Sequence, residues 1–339
     1  MLLSIIIISH NQKEQLRRCV ESVLAQSLPF EHEIILSDDR STDGTWELAQ
    51  EYAKRYQEIS AYRCNTDDYH SSHNSERSGW NRCNGYKYAK GKYIAHIDGD
   101  DFLRAGTDIY KKQVELLERY PMCSCCMAND YTLIDGKEYS MATLLHKDVF
   151  ETGQILSSEE YIKNYFRESH CFVYRRNEDA NPIELYGGYY DDALLTAHYL
   201  QFGDIVCLKD AGYIYVQYST SIMGQFSKNK KDGLVLCCPA LYIPFFIPKW
   251  KNAFMSGSMH LKGMWNVVRV LLAHHRLQEE NRLWIAKMKS KSYLYKCFEC
   301  GMKITDYPRL LFLFVYLAFL YKVHPKVQLF YQILCKFMS

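Results

Sequence analysis

The chain has 339 residues, with 41 Lys plus Arg against 39 Asp plus Glu and a formal net charge of +2. Near-neutrality excludes a general nucleic-acid binder, which needs a strong basic excess to neutralise phosphates. With 48% hydrophobic and 24% charged residues, a largely disordered chain is excluded as well, and the length exceeds what one core usually fills, roughly 250–300 residues.

From the amino terminus, the β-branched run over 4–9 predicts a strand buried on both faces. Asn11 is placed to cap a following helix whose inner stripe is Leu16, Cys19, Val20, Val23 and Leu24. Residues 33–37 predict a second strand, and 38–44 a turn rich in carboxylates and small residues. Trp46, Ala49, Ala53 and Tyr56 form the expected stripe of a second helix. A third strand is expected over 59–64, a polar loop over 65–79, a helix over 80–90 and a fourth strand over 92–97. This alternation implies right-handed crossovers and a parallel sheet with helices on both faces.

Further along, the pattern predicts a helix over 107–119, stopped before Pro121, a strand over 123–130 and an irregular stretch over 135–156. Ser157-Ser158-Glu159-Glu160 has capping-box spacing and opens a helix to about residue 167. A strand over 170–175, a helix over 192–201 and one or two strands over 205–218, split by a turn at 209–212, complete this part. After about residue 225 the chain turns aromatic, basic and proline-interrupted. The expected organisation is therefore a domain over 1–225 and a helical region over 226–339.

Both acidic clusters, Asp38-Asp39 and Asp98-Gly99-Asp100-Asp101, fall directly after expected strands, where ligands of parallel sheets bind. Alternating aspartates can share one hard cation, Mg²⁺ or Mn²⁺, whose other coordination sites take diphosphate oxygens. The glycine between them allows close approach of backbone and ligand. An ionised carboxylate of the Asp38-Asp39 pair can accept a hydrogen bond from a base N–H or a sugar hydroxyl. Each cluster alone could equally be a set of turn aspartates and helix caps.

Taken in order, the segments Ser4 to Asn11, Glu21 to Ser27, Glu33 to Thr45 and Ala89 to Asp101 make the chain resemble family 2 glycosyltransferases of the GT-A fold. The resemblance is strong over about 1–105 and patchy to about 225. It implies a Rossmann-like, mostly parallel α/β sheet, a nucleotide-sugar donor, most often a UDP-sugar, and an inverting hexosyl transfer supported by Mn²⁺ or Mg²⁺. On this resemblance Ser9 and His10 line the nucleotide, with His10 where tyrosine is usual, and Asp39 contacts the base. Arg82 is the basic residue of the donor site, and Cys83 stands where asparagine is common. Asp98 lies near the ribose and metal, and Asp100 is the main metal ligand. Arg40 replaces a common glycine. Tyr218 falls where a later histidine usually faces the diphosphate.

Inverting transfer needs a carboxylate that takes the acceptor hydroxyl proton. The resemblance places it at a helix start, where Asp192 matches the aspartate of a Glu-Asp pair and Asp191 replaces the glutamate. Helix-terminal carboxylates favoured by the dipole are the plainer alternative. A nucleotidyltransferase fits poorly, because Ser9-His10-Asn11-Gln12 is not a glycine-rich phosphate loop. A degenerate GT-A protein that binds glycans or acts as a scaffold without transfer is the remaining alternative.

Residues 286–339 hold nine Lys or Arg and only Glu299 and Asp306 as acids, interleaved with aromatics. The apolar run over 310–321 is shorter than the roughly 20 residues of a bilayer span. Basic residues beside aromatic faces suit an anionic membrane surface, and equally a packed helical appendage with its lysines in water. The 13 cysteines are an odd number, and no signal peptide is recognisable, so free thiols in a reducing compartment are expected. Cys297 and Cys300 have half a zinc spacing without a second pair. The expected location is cytoplasmic, with peripheral contact to the inner face of the membrane, and the expected acceptor a glycan or lipid-linked glycan.

Overall fold

A computed structural model describes residues 1–65, 74–134, 136–140, 150–158, 161, 171–176, 195–196 and 198–218. They lie in one of two compact units, made of Met1–Tyr161 and Tyr165–Gly224. The expected helix over 157–167, Asp191, Asp192 and the whole region after 218 lie outside the described residues, apart from isolated positions. The expected boundary near 225 lies outside them too.

The sheet is mixed, in the order β3-β2-β1-β4-β9-β6-β10-β5. Strands β1 (Leu3–Ser9), β2 (His32–Asp38), β3 (Ile59–Arg63) and β4 (Tyr93–Asp98) form its parallel half. β1 runs between β2 and β4, so the chain switches direction across the sheet there, the place where open α/β sheets leave a crevice. Every residue of β1 is buried, as expected of a β-branched run covered on both faces.

Beyond β4 the pairing changes sense. β9 (Phe172–Arg175) is antiparallel to both β4 and β6 (Cys123–Ile134), and β6 is parallel to β10 (Asp204–Gln217). The short strands β5 (Phe102–Leu103), β7 (Lys137–Ser140) and β8 (Ile155–Leu156) pair antiparallel with β10, β6 and β10. The stretch 135–156 is therefore not wholly irregular, as its weak alternation suggested. β10 is one strand whose register shifts on either side of Ala211, so the turn expected at 209–212 is an irregularity within it.

Helix α1 (Lys13–Leu24) buries Leu16, Cys19, Val20 and Val23, as its spacing predicts. Helix α2 (Thr45–Arg55) buries Leu48, Ala49 and Tyr52 instead, leaving Trp46, Ala53 and Tyr56 at the margin. Helix α3 (Asn74–Tyr88) starts before the expected residue 80, and α4 (Ile109–Arg119) after the expected 107. α1, α2 and α4 share the core on one face, and α3 covers Ile6, Ile8, Ile35 and Ile94 on the other. Gly85 permits that approach, since a Cβ there would lie 2.5 Å from Ile6 Cγ2. The eight described cysteines are buried.

Candidate active site

The ends of β1, β2 and β4 lie side by side, with Ser9 in register with Asp38 and Ile8 with Asp98. The turns that follow are tied to β1: Asp39 N–H donates to Ser9 O at 2.9 Å and Gly99 N–H to Ile8 O at 2.8 Å. Gly99 is required by this contact with β1. A Cβ would lie 2.7 Å from the Ile8 carbonyl oxygen, so the close approach it permits is to protein backbone rather than to a ligand.

Asn11 does not cap α1. It has a left-handed φ of 51°, its Oδ1 accepts the Thr42 N–H at 2.8 Å, and its own N–H donates to Ser41 Oγ at 2.9 Å. The first amides of α1 are met from the second turn instead, with Gln12 N–H on Thr45 Oγ1 and Lys13 N–H on Asp43 Oδ2. Orphan amides at a helix start need such partners, and here they lock the two rim loops together. Arg63 adds to this by donating to Ser41 O at 2.8 Å, with its Nε 3.4 Å from Asp38 Oδ2.

Asp39 is buried with basic groups around it. Arg77 Nε donates to its Oδ2 at 2.6 Å, and Arg40 Nε lies 3.5 Å from its Oδ1. Arg40 occupies a left-handed φ of 53°, which explains why glycine suits this position in similar sequences. His10 Nδ1 lies 2.7 Å from Asp39 O. A carbonyl only accepts, so the proton sits on Nδ1, and Nε2 takes the Asn11 amide at 3.3 Å. Ser9, His10 and Asp39 are thus brought together.

On the other side of Ser9, Arg82 Nη2 donates to Asp98 Oδ1 at 2.9 Å. Asn81 anchors α3 above the rim, donating to Ser9 O at 3.1 Å and accepting from Ser37 Oγ at 2.9 Å, while Asn84 donates to Ser37 Oγ. Cys83 is buried. Arg77, Asn81 and Asp101 were not foreseen as site residues. Arg77 and Asn81 are four apart and so share a helix face, but the polar run before residue 80 hid the helix.

Carboxylate oxygens of Asp98, Asp100 and Asp101 lie within 4.8 Å of one another. Burial and the Asp98 charge push Asp100 up to about 6. Asp101 differs from the other two. It is fully buried, accepting from Val216 N–H at 2.8 Å and Tyr213 O–H at 2.7 Å, so it fastens β10 to the turn. Asp98 and Asp100 form an oxygen donor pair suited to a hard divalent cation, and the repulsion between them is what such a cation relieves. The residues present fit Mn²⁺ or Mg²⁺.

Sheet order and acidic rim together define a GT-A-type α/β protein. The sequence model of Glycosyl transferase family 2 matches residues 4–179, just over half of the chain, and the chain belongs to this family. An uncharacterized protein of Mycobacterium tuberculosis is 30% identical over 186 residues, 53% of this chain and 49% of that one. The chain thus spans about half the length of that relative. The poly(ribitol-phosphate) beta-glucosyltransferase of Bacillus spizizenii is 33% identical over 104 residues, 30% of this chain and 15% of that one. The crystal structure of S. aureus TarS 1–349 in complex with UDP superposes with a TM-score of 0.56 at 17% identity, covering 98% of this chain and 90% of that one. At that identity the likeness is one of fold.

Proposed function

We propose that the chain is an inverting, metal-dependent glycosyltransferase that moves a sugar from a nucleotide-sugar, a UDP-sugar foremost, to a hydroxyl of a glycan or lipid-linked glycan. The observation that carries this reading is the convergence of Asp39, Arg82, Asp98 and Asp100 on one rim at the switch between β1 and β4. Asp39 offers an acceptor to a base N–H, and Arg77 and Arg40 beside it favour an electron-rich carbonyl on the base. His10, with its proton on Nδ1, presents a flat ring at the mouth of the base site.

Asp98 and Asp100 would hold the divalent cation, which when bound stabilises charge on a leaving diphosphate. Arg82 orients Asp98 through its 2.9 Å charge-assisted hydrogen bond. Asp192 takes the acceptor proton, with Asp191 beside it. Both lie outside the described residues, and their roles rest on the family pattern. The names of two relatives support the acceptor class: one from Bacillus spizizenii is named for poly(ribitol-phosphate), and one from Escherichia coli for a diphosphoundecaprenol-linked sugar. Among the described residues no helix is long and apolar enough to cross a membrane. The basic, aromatic region over 226–339 is proposed as a separate unit that rests on the anionic inner face of the membrane.

A thermal-shift screen of UDP-, GDP-, CMP- and dTDP-sugars with Mn²⁺ tests the donor class, because a ligand that binds the native state raises its stability. A UDP-sugar is expected to give the largest shift. Asp192→Asn is expected to keep donor binding and lose transfer; near-normal turnover would remove Asp192 from the role. Hydrolysis of donor without acceptor separates an enzyme from a scaffold that only binds glycans. Co-sedimentation with anionic liposomes at low salt tests the membrane contact, and a wholly soluble full chain would refute it.

A further inference from the structure

Arg18 lies on α1 beside the inner stripe. Its Nη2 donates to Asp100 O at 2.6 Å and to Tyr218 Oη at 3.1 Å. The guanidinium carbon sits 4.4 Å from the Phe102 ring centroid, and Nε is buried with no hydrogen-bond partner. A buried unsatisfied donor costs about 1–3 kcal/mol, so an apolar residue stacked on Phe102 would serve stability better. What an apolar residue cannot do is join the acidic turn to the end of β10. Arginine is suited to that, because its long side chain carries one planar Nη2 to the rim, and the two N–H donors of that nitrogen meet both acceptors.

The two ends it joins are already held from the opposite side by Asp101, which accepts from Val216 N–H and Tyr213 O–H. Between these ties the Asp98-Gly99-Asp100 turn and Tyr218 have little freedom.

We propose that Arg18 is a positioning residue of the metal and diphosphate site, setting the spacing between the Asp98-Gly99-Asp100 turn and Tyr218 by bracing the main chain of Asp100 and the hydroxyl of Tyr218 at once. The proposal rests on the reading of Asp98 and Asp100 as ligands of a divalent cation, and Arg18 acts one step behind them. Partners of this kind change metal affinity about 10–100-fold when removed.

The test is Mn²⁺ binding to the full chain in the presence of UDP, followed by electron paramagnetic resonance of the free ion, alongside melting in chelator. Arg18→Ala is expected to weaken Mn²⁺ at least tenfold while its melting in chelator stays at or above that of the wild type, a split that a purely structural arginine would not give. Arg18→Lys is expected to recover part of the affinity, since one ammonium keeps the charge but reaches the two acceptors poorly. Tyr218→Phe is expected to lose less than Arg18→Ala. Wild-type Mn²⁺ affinity in Arg18→Ala overturns the proposal; if that variant does not fold, wild-type affinity in both Arg18→Lys and Tyr218→Phe overturns it. Asp100→Asn separates the two levels of the argument. If it weakens Mn²⁺ and the Arg18 variants do not, only the positioning role fails. If the wild type takes up no Mn²⁺, or Asp100→Asn binds as the wild type does, the metal reading fails and the proposal with it.

Discussion

Asp39 illustrates how a single carboxylate is tuned by its surroundings. Taken out of water, it is kept useful by the Arg77 ion pair at 2.6 Å and by Arg40, since a buried charge must be paired. Replacing it by asparagine keeps the shape and removes a charge-assisted bond worth about 1.5–3 kcal/mol. Asp39→Asn is therefore expected to weaken UDP at least tenfold by calorimetry, and unchanged affinity would take the base contact away from this residue. His96 is a different kind of residue. Neither ring nitrogen has a hydrogen-bond partner, and burial with Arg82 nearby holds its pKa well below the usual histidine value. With the folded pKa depressed, the unfolded chain binds the extra proton, so stability is complete above about pH 6.5 and is lost as pH falls below it. His96→Phe should match or exceed wild-type stability at pH 7 and remove up to about 2 kcal/mol of the loss seen by pH 5. A wild-type acid profile in that variant, measured by urea denaturation, would contradict this account.

At the scale of elements, the turn after β4 owes its shape to two contacts that lie far apart in sequence. Gly99 sits against the Ile8 carbonyl, so Gly99→Ala must push β1 and β4 apart. It is expected to cost about 1–3 kcal/mol and to abolish UDP binding in Mn²⁺, read by melting and calorimetry on the same sample. Asp101 ties the same turn to β10. Asp101→Ala removes the acceptor of the Val216 N–H and should cost about 3 kcal/mol, whereas Asp101→Asn keeps an oxygen for that amide and should stay within about 1 kcal/mol of the wild type. Equal losses in the two variants would mean that charge rather than hydrogen bonding is what matters there. The parallel half of this fold was legible in the sequence because β1, β2 and β4 centre on apolar residues and carboxylates close β2 and β4. In the other half β6, β9 and β10 were legible as strands, but the antiparallel pairing and the short strands were not. β5, β7 and β8 have two to four residues each, too few for any alternation to register, and their existence is set by the β6 and β10 edges they pair with. The start of α3 was missed because Asn74 to Ser78 is polar throughout, and with it Arg77. Arg18 carried no chemical signal either, since only folding brings it to Asp100, 82 positions away.

For the whole molecule, the sheet order sets where chemistry can occur. β1 between β2 and β4 opens the crevice, α3 brings Arg77 and Arg82 to one side of it, and α1 with β10 brings Arg18 and Tyr218 to the other. Burial first, and then the neighbouring Asp98 charge, make the ionised Asp100 costly at this rim without a counter-ion, which is the direction of its upward shift. In chelator, Asp100→Asn should thus be more stable than the wild type at pH 8, with the difference shrinking as pH falls through about 6, where the wild-type carboxyl takes its proton. The measurement that bears most directly on the central claim is calorimetric titration of a UDP-sugar into the full chain, once with Mn²⁺ and once with chelator. The account predicts one saturable site in Mn²⁺ that weakens at least tenfold in chelator. Equal affinity under both conditions would contradict it, because the rim carboxylates would then be serving the donor without a cation between them.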